Sequence, residues 1–429
     1  MLRACCSVML AATMAAAQQV PPNIVLIMAD DLGYGGLGCY GSRIYETPRL
    51  DWLASRGLRF TDFHSNGTVC SPTRAALLTG RYQQRTGVDG VVNADPKHPY
   101  HGRGLHQSEV TFAEVLAGAG YASACVGKWH VGYDPVYNPT HQGFSRFVGF
   151  VSGNIDYQSH YDRMGTFDWW HGLEKRKEPG YATHLITRHA LRFIDEAKRP
   201  FCLYVAHAAV HNPNQGPDDP PIRGPEKRPR SELSKTRPAV RAMMTALDES
   251  VGRIVARLYA RGLHENTLVL FISDNGGTRE NRTTGPSLRG LKGSVFEGGH
   301  RVPAIAYWPG RIKPGVTDAP AMTMDLLPTF ASLAGAPLPD GHHVDGVDLT
   351  SLLLEGARPA PRPLYWQNQN RKVAAARDGR YKLVVRPQGT MLFDMVKDPG
   401  EKMDLASEYP DRVATLRAAL KSWRADVTP

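Results

Sequence analysis

Residues 23–31 read Asn-Ile-Val-Leu-Ile-Met-Ala-Asp-Asp, an unbroken apolar run that ends in two carboxylates. A short apolar run bounded by polar residues is typical of a strand buried on both faces of a parallel sheet. Similar runs recur at 122–126, 201–206, 267–273 and 303–307, with helical patterns between them. The sequence therefore predicts an α/β protein with a large, mostly parallel sheet flanked by helices.

Helical patterns alternate with these strands up to about residue 333, after which the composition changes. The helical patterns cover 72–79, 111–119, 184–196, 238–261 and 325–333. Beyond a change of composition at 335–346, residues 372–377 and 381–385 predict antiparallel strands, and 411–426 predict a terminal helix. We therefore divide the chain into a leader (1–17), a large α/β domain (18–340) and a smaller C-terminal subdomain (341–429).

The N-terminal residues have the features of an export signal. Arg3 precedes a short apolar run that ends in three alanines at 15–17, a pattern typical of signal-peptide cleavage sites. No later segment approaches the roughly 20 apolar residues that a membrane span requires. We expect the mature protein to be exported, periplasmic or secreted, without stable insertion in a membrane.

Charge and cysteine content limit the classes of partner. The formal net charge is +10, and basic residues concentrate between Arg223 and Arg241. This stretch is either a solvated loop or a patch that attracts a polyanion such as a sulfated glycan. Nucleic acid is disfavoured, because the stretch lacks interleaved aromatic residues and the protein is predicted to be exported. Cys125 and Cys202 lie in strand-like runs, where buried thiols are expected.

Two acidic pairs follow predicted strands. Asp30 and Asp31 follow the first strand, and Asp274 and Asn275 follow the strand at 267–273. Because functional groups gather beyond the carboxyl ends of parallel strands, the two pairs are expected to meet. Their oxygens suit Ca²⁺ or Mg²⁺ better than zinc. The alternative for either pair alone is turn or helix-cap chemistry.

Further polar residues leave other strands or lie in glycine-rich turns. Lys128 and His130 follow the strand at 122–126, His211 follows that at 201–206, and Lys292 lies between glycines. Such residues can bind an anionic oxygen or transfer a proton. Individually, each is equally compatible with an exposed loop.

The most specific motif lies at 70–81, which read Cys-Ser-Pro-Thr-Arg-Ala-Ala-Leu-Leu-Thr-Gly-Arg. This Cys-x-Pro-x-Arg block and the blocks around it resemble the formylglycine-dependent sulfatases of the alkaline phosphatase superfamily. The resemblance covers nearly the whole chain after the leader, in family order. Its blocks are 23–31, 70–81, 127–132, 211–213, 273–277, 292–303, 324–329, 393–394, 398–401 and 405–406.

The resemblance implies an alkaline-phosphatase-like fold and a sulfatase mechanism. A separate maturating enzyme would oxidise Cys70 to formylglycine, whose hydrated form is the family's nucleophile. One divalent cation, Ca²⁺ or alternatively Mg²⁺, would accompany it. The implied metal ligands are Asp30, Asp31, Asp274, Asn275 and the modified Cys70.

The resemblance also assigns roles to the basic residues. Arg74 would hold the modified residue in place, while Lys128 and Lys292 would bind sulfate oxygens. His211 is the candidate acid that protonates the leaving alcohol. His130 would support the nucleophile or help to eliminate sulfate.

The substrate is the least constrained prediction. Residues 145–181 are rich in aromatics and resemble sulfatases of carbohydrate-degrading bacteria, which favours a sulfated galactose or N-acetylgalactosamine unit. Ser152 or Asn154 and His160 are candidate substrate contacts. The aromatics could instead pack in the core. Alternative functions are a phosphonate or phosphodiester hydrolase of the same superfamily, an arylsulfatase without glycan preference, and a silent glycan-binding module.

Overall fold

A computed structural model of the protein describes residues 20–198, 200–226, 236–285 and 287–428. The predicted leader at 1–17 and residues 227–235 of the basic stretch lie outside this part of the chain. None of the helices within the described ranges is an apolar segment of bilayer-spanning length.

The large sheet is built around five parallel strands, as the apolar runs predict. In spatial order they are β9 (Thr267–Ser273), β1 (Asn23–Ala29), β8 (Phe201–Ala206), β4 (Ala122–Lys128) and β5 (Arg146–Phe150). Every residue of β1 is buried, because helices cover both faces of the sheet. The carboxyl ends of β1, β4, β8 and β9 therefore lie side by side at one edge.

Shorter strands extend the sheet on both sides to ten strands. They are β2 (Leu58–Phe60), β10 (Ala304–Tyr307), β11 (Gly315–Thr317), β6 (Trp170–His171) and β7 (Glu174–Lys175). β10 runs antiparallel to β9 and β2, and β6 runs antiparallel to β5 and β7. Separately, β3 (Phe63–His64) pairs in parallel with β12 (Ala321–Met322).

Helices form two apolar layers against the sheet. They are α1 (Pro48–Arg56), α2 (Cys70–Thr79), α3 (Phe112–Gly118), α4 (Ala182–Glu196), α5 (Thr236–Ala260), α7 (Leu326–Ala334) and α8 (Thr350–Glu355). The short helix α6 (Glu297–His300) precedes β10. Alternate residues of β1 enter opposite layers: Leu26 packs with residues of α2, α3 and α7, and Ile27 with residues of α1, α4 and α5. Burying one such side chain stabilises the fold by about 1.5–3 kcal/mol.

A second sheet of four antiparallel strands follows near the C-terminus. Its strands, in order, are β13 (Leu364–Gln367), β14 (Ala374–Asp378), β15 (Tyr381–Arg386) and β16 (Gly389–Asp394), and α9 (Pro410–Val427) packs on it. Trp366 and Trp423 share a core with Tyr82 and Met324 of the preceding part. The predicted small antiparallel sheet and terminal helix are confirmed.

Some elements carried too little signal to be predicted. α1, β5, β13 and β16 are short, with four to nine residues each, so each offers few positions from which to recognise its pattern. The leucines of α8, beyond residue 340, pack in the core of the large sheet. The domain boundary at 340 stays a prediction.

Candidate active site

The predicted site residues converge at the carboxyl edge of the large sheet. Asp30 and Asp31 follow β1, Lys128 ends β4, and Asp274 and Asn275 follow β9. All five are at most 1% exposed. Because β1 pairs in parallel with β9, the two acidic pairs leave the sheet at the same level.

Cys70 enters this cluster from the opposite direction, as the first residue of α2. No side chain caps that helix end, so its free N–H groups and dipole favour a negative charge there. Burial raises the pKa of the Cys70 thiol more than Lys128 and Lys292 lower it. An unmodified Cys70 would therefore be protonated at neutral pH and a poor nucleophile.

Oxygen atoms around Cys70 are suited to a hard cation. Ligand atoms of Asp30, Cys70 and Asp274 all lie within 4.8 Å of one another. The Oδ1 atoms of Asp30 and Asn275 are buried and have no hydrogen-bond partner among the described residues. Leaving a buried acceptor unsatisfied costs about 1–3 kcal/mol. A divalent cation would satisfy both oxygens, so the residues present fit the cation that the sequence predicts.

The mutual repulsion of the carboxylates also favours a bound cation. Burial and the neighbouring Asp274 raise the pKa of Asp30 to about 8, although Lys128 lowers it. Three buried acids so close together repel one another when ionised. A bound cation would favour the ionised form of all three.

Two lysines face the carboxylates from different elements. The Nζ of Lys128 lies 2.5 Å from Oδ2 of Asp30, and the Nζ of Lys292 lies 2.6 Å from Oδ1 of Asp31. Lys128 is wholly buried, whereas the side chain of Lys292 is partly exposed to the cleft. Burial lowers the pKa of Lys292, but the neighbouring Asp31 contributes to a net rise above its usual value, so the ammonium stays charged. Both can therefore contact an anionic group placed beside Cys70.

Arg74 holds the cluster together from within. Its Nε and Nη2 donate to Oδ2 of Asp274 at 3.2 and 2.8 Å. Its Nη1 donates to the Lys128 carbonyl and to the Tyr204 hydroxyl. A buried arginine with several fixed acceptors orients its partners rigidly. In this geometry Arg74 ties the β9 and β4 ends to α2.

Two histidines complete the site. The Nε2 of His211 lies 3.7 Å from Oδ2 of Asp31, and burial lowers the pKa of His211 to about 3. The Nε2 of His130 donates to the Val92 carbonyl at 3.0 Å, and its Nδ1 is an acceptor with no partner among the residues that the structure describes. Burial lowers the pKa of His130 well below its usual value. Neutral His130 can therefore accept a proton at Nδ1.

Two site residues have an uncommon backbone conformation. Asp31 and His130 lie in the left-handed region, with φ of 59° and 61°. This region costs a non-glycine residue energy, and it persists only where surrounding contacts fix it. Here it directs both side chains into the cluster.

The predicted substrate contacts are only partly brought to the site. Asn154 lines the cleft beside His211. Ser152 is buried, and its hydroxyl donates to the Asn154 carbonyl. His160 is also buried, stacked on Trp169, with its Nε2 bonded to the Gly180 carbonyl. Ser152 and His160 therefore do not line the cleft, because their polar atoms are used inside the protein.

The aromatic stretch also differs from the glycan-stacking prediction. Tyr157, Trp169 and Tyr181 are buried in the core, so the core-packing alternative holds for them. The cleft has a volume of about 950 Å³, and its walls include Tyr133, Arg163 and Arg223. Sequence reasoning missed Tyr133 and Arg163 and noted Arg223 only as the start of a basic stretch.

Comparisons with known proteins place this geometry in context. The family model described as Sulfatase matches residues 22–336. Arylsulfatase A of Homo sapiens is 37% identical, with 96% of this chain and 88% of that protein covered. N-acetylgalactosamine-6-sulfatase of Rattus norvegicus is also 37% identical, with 97% and 88% covered. The solved structure of Ps i-CgsB in complex with k-i-k-neocarrahexaose has a TM-score of 0.85 and 31% identity, with 94% and 92% covered.

Proposed function

The chain belongs to the sulfatase family of the alkaline phosphatase superfamily, and from this premise we propose that it removes sulfate from a sulfated glycan. It is a sulfuric ester hydrolase, and the proposed substrate is a galactose or N-acetylgalactosamine sulfate. The names of its relatives support that sugar class. The observation that carries the proposal is the convergence of Cys70 with Asp30 and Asp274.

We propose that Cys70, once oxidised to formylglycine by a maturating enzyme, supplies the nucleophile. A Ca²⁺ or Mg²⁺ ion would be held by Asp30, Asp31, Asp274 and Asn275, and the unpartnered Oδ1 atoms of Asp30 and Asn275 among the described residues support this assignment. When bound, such an ion offsets negative charge on the sulfate. The proposed leader at 1–17 would direct the protein to the periplasm or outside.

The remaining residues act on the sulfate and on protons. Lys128 and Lys292 bind sulfate oxygens and stabilise the charge that spreads over them in the transition state. His211 gives a proton to the departing alcohol from its imidazolium form, which a bound sulfate anion would favour. His130, with its Nδ1 acceptor, takes a proton during release of the sulfate. Burial of Lys128 and His130 beside the carboxylates keeps bulk water away and strengthens these interactions.

The proposal is tested by mass spectrometry of the tryptic peptide 60–74, from protein produced with a maturating enzyme. A formylglycine mass at Cys70 is expected, and an unmodified thiol would contradict the proposed nucleophile. Hydrolysis of 4-nitrophenyl sulfate should exceed that of 4-nitrophenyl phosphate and of a phosphonate ester. The reverse order would favour a phosphoesterase.

A pair of cysteine variants separates the nucleophile from other thiols. Cys70→Ala should reduce the rate of 4-nitrophenyl sulfate hydrolysis by at least about 10³-fold, because the nucleophile is lost. Cys202→Ala is the control, since Cys202 is an equally buried thiol of β8. Full activity in Cys70→Ala would contradict the mechanism.

A further inference from the structure

Two arginines line the same cleft as Lys292. Arg163 follows β5 in the loop at 160–167, and Arg223 follows β8 and opens the basic stretch. Neither takes part in the mechanism above. They come from loops that are 60 residues apart in the chain.

Each guanidinium is held by a neutral amide and not by an acid. Arg163 donates to Oδ1 of Asn93, and Nη1 of Arg223 donates to Oδ1 of Asn154 at 2.9 Å. Within the described ranges, no carboxylate oxygen lies within 4.0 Å of either guanidinium. Lys292, by contrast, is paired with Asp31. The two arginines therefore keep positive charge and free N–H donors for a ligand.

Arg223 is rigidly placed. Its backbone N–H donates to Oδ2 of Asp156 at 2.9 Å, and the Ser159 hydroxyl donates to its carbonyl at 2.7 Å. Burial lowers the pKa of Arg223 more than Asp156 and Asp162 raise it, and nearby Arg163 lowers it further. Two arginines that line one cleft, each without a carboxylate partner among the described residues, attract an anion into that cleft.

The position of Arg223 relates this charge to the reaction. Asn154 accepts a hydrogen bond from Arg223, and its Nδ2 lies 3.4 Å from Nδ1 of His211. His211 is the proposed acid for the leaving alcohol. Arg223 thus lies beside the part of the cleft into which the rest of a glycan would extend.

We infer that the cleft binds a glycan with a second anionic group, a sulfate or a carboxylate, next to the ester that is cleaved. Arg163 and Arg223 form the site for that second group, and the inference rests on the proposed function. Asp95 and Glu280 also line the cleft, but neither lies within 4.0 Å of the two guanidiniums. A glycan with two anionic groups is therefore favoured over one with a single sulfate.

Competition experiments on the matured enzyme test this inference. Three sugars compete with hydrolysis of 4-nitrophenyl sulfate: N-acetylgalactosamine 6-sulfate, N-acetylgalactosamine 4,6-disulfate, and the disaccharide of glucuronic acid with N-acetylgalactosamine 6-sulfate. At least one of the two sugars with a second anion should have an inhibition constant about 10-fold below that of the monosulfate, a difference that shrinks at high salt. The better of the two identifies the second group as sulfate or carboxylate.

Variants link the preference to the two arginines. Arg163→Gln and Arg223→Gln should reduce the ratio of inhibition constants towards one, and Arg223→Lys should keep part of it. The control Arg176→Gln should keep the whole ratio, because Arg176 is exposed and pairs with Glu174. Equal inhibition by all three sugars, no inhibition by any, or an unchanged ratio in both glutamine variants would overturn the inference. Failure of the wild type to release sulfate from 4-nitrophenyl sulfate and from all three sugars would instead overturn the proposed function.

Discussion

The Nζ of Lys382 lies 2.8 Å from Oε1 of Glu297, although Lys382 belongs to β15 of the small sheet and Glu297 begins α6, which precedes β10 of the large sheet. Glu401 joins them: its Oε1 lies 2.9 Å from the same ammonium, and its Oε2 accepts from the Glu297 backbone N–H. All three side chains are buried. The small sheet thereby fixes the helix that follows the loop of Lys292.

Removing this ammonium should destabilise the protein strongly. Lys382→Met leaves Glu297 and Glu401 buried without their cation, which is expected to cost about 3–5 kcal/mol. Urea unfolding followed by circular dichroism measures the change in free energy of unfolding. The exposed lysine variant Lys397→Met is the control and should change it by less than about 0.5 kcal/mol. Equal stability of both variants would contradict the role of the buried cluster.

Calcium should raise the melting temperature through Asn275. A ligand at 100 times its dissociation constant stabilises by about 2.7 kcal/mol, which predicts a shift of a few degrees in a chain of this size. Asn275→Leu removes one of the unpartnered oxygens, so the shift on adding Ca²⁺ after chelation should largely disappear. The control Asn370→Leu, at an exposed turn, should keep it. Undiminished shifts in Asn275→Leu would contradict the ligand assignment.

Acid should weaken the fold through Glu178. Burial raises the pKa of Glu178, but hydrogen bonds from Trp169 and His189 outweigh burial and lower it to about 2. Because the folded pKa is below the unfolded value near 4.5, this contribution is complete above pH 4.5 and is lost as pH falls towards 2.

The variant Glu178→Gln tests this dependence by urea unfolding at pH 6 and pH 3. At pH 6 it should be less stable than the wild type, and the difference should narrow at pH 3. The control Glu174→Gln removes an exposed acid that pairs with Arg176 and should follow the wild type at both values. A difference that does not narrow would rule out ionisation of Glu178 as its cause.

A methyl group at Gly276 should disturb the site. A Cβ at this position would lie 1.9 Å from the Gly298 carbonyl oxygen, a contact that backbone movement alone can relieve. That movement would separate the loop of Asn275 from α6. Gly276→Ala should therefore lower both kcat and stability, whereas Gly118→Ala, where no atom lies within 4 Å, should lower neither. Activity assays with thermal melts compare the two, and wild-type behaviour of Gly276→Ala would contradict the packing argument.

Sequence alone could predict the two acidic pairs because their signal is local. Each pair follows an apolar strand, and the parallel pairing of β1 with β9 brings the two pairs to the same edge of the sheet. His160 shows the limit of that reasoning: it lies in the right segment, but its loop turns the ring inward onto Trp169. No local pattern tells which way such a side chain faces.

Contacts between residues far apart in the chain determine the placement of Arg223 and the burial of Lys382, which the sequence did not predict. Arg223 reaches the cleft because Asp156, 67 residues earlier, binds its backbone. Lys382 precedes Leu383 in β15, and alternation of polar and apolar residues along the strand would predict that Lys382 is exposed. Lys382 is buried because Glu297 packs against its ammonium. Such partners can be identified once the elements are placed in space.

The burial of α2 limits when another protein could reach Cys70. Cys70 is 2% exposed, and all ten residues of α2 are buried. A second protein cannot enclose Cys70 and its flanking residues without first pulling this helix out of the core. Under the proposed function, oxidation of Cys70 would therefore have to precede the completion of folding. If Cys70 is oxidised as proposed, a molecule that has already folded with an intact thiol would stay inactive even when a maturating enzyme is added.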